Sequence, residues 1–173
     1  MRIEAGPRTD LFVDPQAEAD PILNAPRSLS RAEGMFQLSA RVQVDFEETF
    51  DAGVLLVWFD ERTWAKLCLE YSPAHEPMVV SVVTRGLSDD SNSFVVPDGD
   101  AWLRISRVAP AAFAFHASVD GERWELIRHF SLGDGADPEV GFLAQSPLGE
   151  GCTATFTEIR DVAERLDDIR SGR

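Results

Sequence analysis

The fold can be inferred from one stretch of nine residues, Thr63-Trp64-Ala65-Lys66-Leu67-Cys68-Leu69-Glu70-Tyr71. Its polar and apolar residues alternate with the two-residue period of a β-strand, whose successive side chains point to opposite faces of a sheet. One face therefore carries Trp64, Lys66, Cys68 and Glu70, and the other carries Ala65, Leu67, Leu69 and Tyr71. The stretch predicts a strand with one apolar face and one face that holds a charged pair.

The flanking sequence extends this strand into a sheet. Gly53–Phe59 is nearly all apolar, which is typical of a central strand covered on both faces, and Asp60-Glu61-Arg62 has the length of a hairpin turn. Phe36–Phe46 alternates between apolar and polar residues, as a strand with one buried face does. Further strand signals recur about every 8–12 residues, which favours a sandwich or barrel. We expect these strands near residues 3–13, 78–84, 94–96, 102–107, 111–119, 123–130, 140–144 and 153–159, with a polar loop over 85–93.

The last part of the chain has a different periodicity. Ile159, Val162, Leu166 and Ile169 have the spacing of a helical stripe, which predicts a short helix or tail over Asp161–Arg170. The long series of strands with a single helix candidate predicts an all-β protein. We therefore expect a two-sheet antiparallel β-sandwich over residues 1–160, followed by a short C-terminal helix or tail over residues 161–173.

Composition excludes several classes of partner. The apolar content of 44% indicates a folded globule, and the net charge of −14 argues against nucleic acid and anionic membrane surfaces. No apolar stretch approaches the roughly 18 residues of a transmembrane helix, and the start of the chain lacks the pattern of a signal peptide. Cys68 and Cys152 suit reduced thiols. These features predict a cytoplasmic protein without nucleic-acid or membrane partners.

Lys66 is the only lysine among the 16 basic residues of the chain. Its ammonium is a compact donor with a readily shifted pKa, so arginine is no equivalent for it. An indole, an ammonium and a carboxylate on one face suit a groove for a sugar or small polar ligand. The alternative is a cross-strand ion pair on a solvated face, which would contribute about 0–1 kcal/mol.

Two further groups are candidates for ligand contacts. Arg85 ends a strand and could bind a carboxylate or phosphate through two hydrogen bonds, beside Ser88 and Asp89 in the predicted loop. An Asp- and Ser-stabilised turn with a local ion pair explains the same residues. Trp102 and Arg104 share a strand face and could form a binding wall, or could simply stack on each other.

Several motifs together resemble one family, domain of unknown function 1349, which is also called regulation-of-enolase-like. The similarity extends from about Arg8 to Ile159, and the motifs that carry it are Thr9-Asp10-Leu11-Phe12, Phe50-Asp51-Ala52-Gly53-Val54-Leu55-Leu56, Thr63–Tyr71, Val80-Ser81-Val82-Val83-Thr84-Arg85-Gly86-Leu87-Ser88-Asp89, Trp102–Arg107, Ser118–Trp124, Gly141-Phe142-Leu143-Ala144-Gln145-Ser146-Pro147 and Gly149-Glu150-Gly151.

The resemblance implies a concanavalin A-like lectin/glucanase β-sandwich (a jelly roll) with a cytoplasmic role tied to metabolism. The chain departs from the family pattern at two positions. The glutamine of aspartate-glutamine-alanine-glycine is missing in Asp51-Ala52-Gly53, and Asp90 replaces the tryptophan that follows Ser88-Asp89. If that tryptophan stacks on a ligand in relatives, this protein has either lost the role or moved it to Trp64 or Trp102.

The sequence lacks the residue patterns that are typical of glycoside hydrolysis and of metal binding. A glycosidase needs two carboxyl groups at a controlled separation, but Glu70 is the only carboxylate well inside a strand face. His75, His116 and His129 lack metal-ligand spacing. We predict no catalytic residue, metal or cofactor.

Three functions follow from these observations. The first is a non-catalytic ligand-binding or regulatory module, with a concave groove lined by Trp64, Lys66, Glu70, Arg85, Trp102 and Arg104. The second is a glycan-active hydrolase with Glu70 as the acid and a partner such as Asp89. The third is an assembly module that binds a metabolic protein or forms a homodimer through a sheet edge or the Asp161–Arg170 segment.

Overall fold

A computed structural model describes all residues, 1–173, as an all-β protein. Its fourteen strands are β1 (Arg2–Ala5), β2 (Leu11–Phe12), β3 (Ile22–Leu23), β4 (Arg27–Arg31), β5 (Phe36–Val44), β6 (Ala52–Asp60), β7 (Thr63–Tyr71), β8 (Pro77–Arg85), β9 (Leu87–Val95), β10 (Asp100–Ala109), β11 (Ala112–Ser118), β12 (Glu125–Ser131), β13 (Glu139–Gln145) and β14 (Cys152–Val162). The structure contains no helix that is long and apolar enough to cross a membrane.

Two six-stranded sheets form the sandwich. The first sheet has the strand order β1-β14-β5-β10-β11-β12, and the second has the order β4-β13-β6-β7-β8-β9. Neighbouring strands are antiparallel in both sheets, and β2 pairs with β3 in a separate two-stranded sheet. The predicted two-sheet sandwich is therefore confirmed.

The main hydrophobic core lies between the two sheets. Leu55, Ala65 and Leu67 of the second sheet belong to the same buried cluster as Leu103 and Phe115 of the first. Alternation then sends the next side chains of β6 and β7 to the opposite face of the second sheet.

That opposite face has a smaller core of its own. Val54, Trp64 and Cys68 cluster there with Leu11 and Val13. The latter two belong to residues 10–25, which we call the cover segment. The predicted double burial of Gly53–Phe59 is thus confirmed, because the cover segment packs on the side away from the main core.

Two predicted local structures are wrong. Residues 87–95 form strand β9 at the edge of the second sheet, where a predominantly polar sequence is compatible with solvent exposure. No helix forms over Asp161–Arg170: β14 continues to Val162, which pairs with Gln37, and residues 163–173 follow an irregular path. We call residues 163–173 the tail segment. A helix of about ten residues is marginal without tertiary support, and here the backbone carbonyls of the tail segment bond to side chains of the first sheet.

Candidate functional site

The candidate site is a pocket on the covered face of the second sheet. It has a volume of about 170 Å³ and is lined by Asp10, Phe12, Phe50, Lys66, Glu70, Val82, Asp90, Gln145 and Pro147. Strands β7, β8, β9 and β13 supply Lys66, Glu70, Val82, Asp90 and Gln145, and the cover segment supplies Asp10 and Phe12. The predicted sharing of one face by Lys66 and Glu70 is confirmed.

Lys66 is the only cation that lines the pocket. Its side chain is 3% exposed, and its Nζ donates hydrogen bonds to Oε1 of Gln145 at 2.8 Å and to Oδ1 of Asp10 at 3.5 Å. Burial lowers the pKa of Lys66, but the neighbouring carboxylates of Asp10, Glu70 and Asp90 outweigh burial and hold the pKa above its ordinary value. The ammonium is therefore charged and fixed in position by its two acceptors.

Glu70 has the opposite balance. Burial raises its pKa to about 7, Lys66 opposes the rise, and the nearby Asp90 and Asp10 add to it. Burial also raises the pKa of Asp90, although this side chain lies on the exposed edge strand β9. Neither carboxyl group forms a salt bridge within the protein; the salt bridge of Lys66 is with Asp10. Glu70 and Asp90 thus leave acceptor oxygens available to a ligand.

One wall of the pocket is apolar and locally strained. Phe50 has a φ angle of +71°, in the left-handed region that bulky residues rarely adopt. This conformation is fixed on both sides: the Phe50 amide donates to the carbonyl of Tyr71 at 2.8 Å, and the Phe50 carbonyl accepts from Nε2 of Gln145 at 3.3 Å. Because Gln145 also accepts from Lys66, the aromatic wall and the ammonium belong to one hydrogen-bonded unit.

Trp64 lies beside the pocket but does not line it. Its ring is fully buried in the smaller core, 6.0 Å from Nζ of Lys66. The prediction of an indole on the same face is confirmed, but the ring is no open stacking platform. Phe12 and Phe50 are the aromatic residues that face the pocket.

The residues predicted near Arg85 are not in the pocket. Arg85 points toward the first sheet and donates to the carbonyl of Ser131 at 2.5 Å. Ser88 is buried and holds the cover segment, since its Oγ accepts from the amide of Val13 at 3.0 Å and bonds to Thr84 at 2.9 Å. Asp89 pairs with Arg128 at 2.8 Å.

Trp102 and Arg104 lie on the first sheet, on the face turned away from the main core. Trp102 donates from Nε1 to Glu158 at 3.1 Å, and Arg104 is buried against Trp124 and the tail segment. The predicted single groove that joins Trp102 and Arg104 to Lys66 is therefore wrong. Strand alternation alone does not say which sheet of a sandwich a strand enters.

Sequence reasoning missed seven of the nine lining residues: Asp10, Phe12, Phe50, Val82, Asp90, Gln145 and Pro147. The departure at Asp90 was the signal for one of them: Val82 and Asp90 are paired in the β8–β9 ladder, so the replacement places a carboxyl group in the pocket. Asp10, Phe12, Phe50 and Gln145 come from segments outside β7, which no local pattern connects to it. No group of three or more His, Cys, Asp or Glu side chains is arranged to hold a metal ion.

This architecture, two antiparallel sheets packed face to face, is a β-sandwich with the fold of lectin-like domains. The legume lectin-like domain from Entamoeba histolytica has the same fold, with a TM-score of 0.56 at 10% identity over 94% of this chain and 90% of that domain. A mutant of BlXynB, a GH43 protein from Bacillus licheniformis, matches at a TM-score of 0.72 and 15% identity, over 94% of this chain but 32% of that protein. At these identities the likeness concerns the fold alone.

The family itself follows from the sequence. The profile described as "Protein of unknown function (DUF1349)" matches residues 1–162, and the chain belongs to this family. It is 32% identical to "Regulation of enolase protein 1" of Saccharomyces cerevisiae over 124 residues, which are 71% of this chain and 62% of that protein. A functionally unknown protein from Saccharomyces cerevisiae has a crystal structure that matches with a TM-score of 0.85 and 26% identity, over 94% of this chain and 87% of that one.

Proposed function

We propose that this protein is a non-catalytic binding module whose pocket takes a small, neutral, polyhydroxylated ligand of the carbohydrate class. The observation that carries the proposal is the convergence of Lys66, Glu70 and Asp90 beside two aromatic residues. Hydroxyl groups can donate to the two unpaired carboxyl groups while a sugar ring packs on Phe12 or Phe50. Sites of this composition, a mostly apolar wall with a few convergent polar groups, are typical of small-ligand recognition.

The charge and size of the pocket narrow the ligand class. One ammonium faces three carboxyl groups, so the pocket is anionic and disfavours phosphorylated or carboxylated ligands. Its volume of about 170 Å³ lies below the roughly 300 Å³ at which drug-sized sites begin. A ligand about the size of one sugar ring is therefore favoured over a long oligosaccharide buried along its whole length.

The test is a thermal-shift and NMR titration with neutral monosaccharides and with the corresponding sugar phosphates. A neutral sugar should raise the melting temperature and shift amide signals of β7 and β9, whereas its phosphate should do neither. Glu70→Gln should weaken sugar binding, and the exposed turn variant Glu61→Gln serves as the matched control. Absence of any pocket shift with every neutral sugar would rule the proposal out.

A glycan-active hydrolase is the second candidate, and one observation favours it. Glu70 has a pKa of about 7, which suits a general acid, and Asp90 lines the same pocket as a second carboxyl group. Asp89 cannot take this second role, since it is on the other face of β9 with Arg128. Release of nitrophenol from aryl glycosides, lost in both Glu70→Gln and Asp90→Asn, would establish catalysis and displace the binding proposal.

A cytoplasmic location and a metabolic protein partner remain proposals. Both cysteines are free and buried, which agrees with a reducing compartment. The proposal of a metabolic partner comes from the name of the yeast relative, regulation of enolase protein 1, and the match covers 62% of the length of that relative. Co-purification with the tagged full chain, compared with Glu70→Gln, would test whether any partner depends on the pocket.

A further inference from the structure

A second polar site lies beneath the tail segment, on the face of the first sheet turned away from the main core. Arg104 on β10 stands directly opposite His116 on β11. Ser106 follows two residues after Arg104 on the same face, and all three side chains are buried. Their position on the first sheet separates them from the pocket of Lys66 and Glu70.

Arg104 is a buried cation without an anion. It forms no salt bridge; its guanidinium lies 4.1 Å from the ring centre of Trp124, and Nη2 donates to the carbonyl of Gly172 at 2.5 Å. Burial lowers the pKa of Arg104 to about 10. A buried charge is normally paired, because desolvation costs several kcal/mol that a neutral acceptor offsets only in part.

The tail segment satisfies only some of the polar atoms below it. Nε2 of His116 bonds to the carbonyl of Ile169 at 2.8 Å, and Leu166 packs into a small apolar cluster with Val108 and Ala114. Three buried atoms still have no hydrogen-bond partner within the protein: Nε of Arg104, Oγ of Ser106 and Nδ1 of His116. The carbonyls of Gly172 and Ile169 therefore occupy positions where a stronger hydrogen-bond acceptor could bind to the guanidinium, hydroxyl and imidazole groups below them.

We propose that this face is a binding site for a small carboxylate-bearing ligand, and that the tail segment occupies it as an internal competitor. A carboxylate accepts two parallel hydrogen bonds from a guanidinium, which would use Nε as well as Nη2 of Arg104 and compensate its charge. The neighbouring groove is lined by three carboxylates, of Asp120, Glu122 and Glu158, and by one cation, Arg160, so its net negative charge disfavours an anion there. This site is independent of the proposed sugar pocket.

The test uses the full chain with malonate as the probe and sodium chloride at equal ionic strength as the control. Malonate should shift the amide signals of residues 166–172 and the indole signal of Trp124. Leu166→Ala weakens the anchor of the competitor and should tighten malonate binding about tenfold or more. Arg104→Lys retains the charge but removes the bidentate hydrogen-bond donor, and should weaken malonate binding at least about tenfold.

Two outcomes would overturn the proposal. One is a malonate response that sodium chloride reproduces, or that is unchanged in the Arg104→Lys variant when the spectrum of that variant shows a folded protein. The other is a response that disappears in Glu70→Gln, which would place the anion in the first pocket. If Arg104→Lys does not fold, wild-type malonate shifts confined to residues away from 166–172 and Trp124 contradict the proposal by themselves. A response intact in Glu70→Gln supports the second site whatever the sugar titration gives.

Discussion

Replacing Glu70 by glutamine should make the protein more stable, and the gain should grow with pH. Folding raises the pKa of this carboxyl group from 4.5 to about 7, so the folded protein binds a proton at Glu70 more tightly than the unfolded chain does. The stability cost of ionising Glu70 therefore begins near pH 4.5, increases with pH and is complete above about pH 7. Its upper limit is about 3 kcal/mol, at 1.36 kcal/mol for each pKa unit.

The measurable part of this cost lies in an accessible range of pH. With these two pKa values, ionisation of Glu70 costs about 1 kcal/mol at pH 5.5 and about 3 kcal/mol at pH 8.5, a difference of about 2 kcal/mol. Urea denaturation of the wild type and of Glu70→Gln at both pH values should show this difference in the stability gap. Glu61→Gln, at an exposed turn, should show no such dependence. A gap between wild type and Glu70→Gln that is equal at the two pH values would refute the assigned environment of Glu70.

Three further substitutions test buried contacts, one in the pocket and two elsewhere in the sandwich. Lys66→Met should lower the free energy of unfolding by about 3–5 kcal/mol in urea denaturation, because Asp10 and Glu70 lose their only buried cation. An unchanged denaturation midpoint would contradict the pairing of Lys66 with Asp10. Arg107→Met should lower the free energy of unfolding by about 3–5 kcal/mol, because the buried guanidinium donates to the carbonyls of Pro110, Gly135 and Ala136 and to Asp137. Arg107→Lys retains the charge and should lower it less; equal losses in the two variants would show that the hydrogen-bond geometry is irrelevant. Gly141→Ala should lower the free energy of unfolding by about 1–3 kcal/mol and weaken hydrogen-exchange protection in β4, because the added methyl group would collide with the carbonyl of Ser28. Full protection of residues 27–31 in this variant would show that the strands separate without cost.

The pocket shows how far local patterns reach. Alternation in Thr63–Tyr71 placed Lys66 and Glu70 on one face, because the period of a strand depends only on backbone geometry. The same rule could not place Trp102, since it relates residues within a strand and says nothing about which of two sheets the strand joins. Residues that close the pocket, such as Asp10 and Phe50, arrive from loops and a cover segment that long-range packing positions.

The tail segment shows the same limit of prediction from local sequence patterns. Leu166 and Ile169 are spaced for a helix, and both do pack on the first sheet, but without helical structure. The sequence by itself determined that this protein is an all-β sandwich with a lone ammonium beside a carboxyl group, because strand period and composition are local properties. Only the tertiary structure decided that the ammonium is buried and flanked by Asp10 and Asp90, and that Arg104 lies on the other sheet under the tail segment. Burial and the approach of distant segments are properties of the packed chain, and they set the charge state and the accessibility of each group.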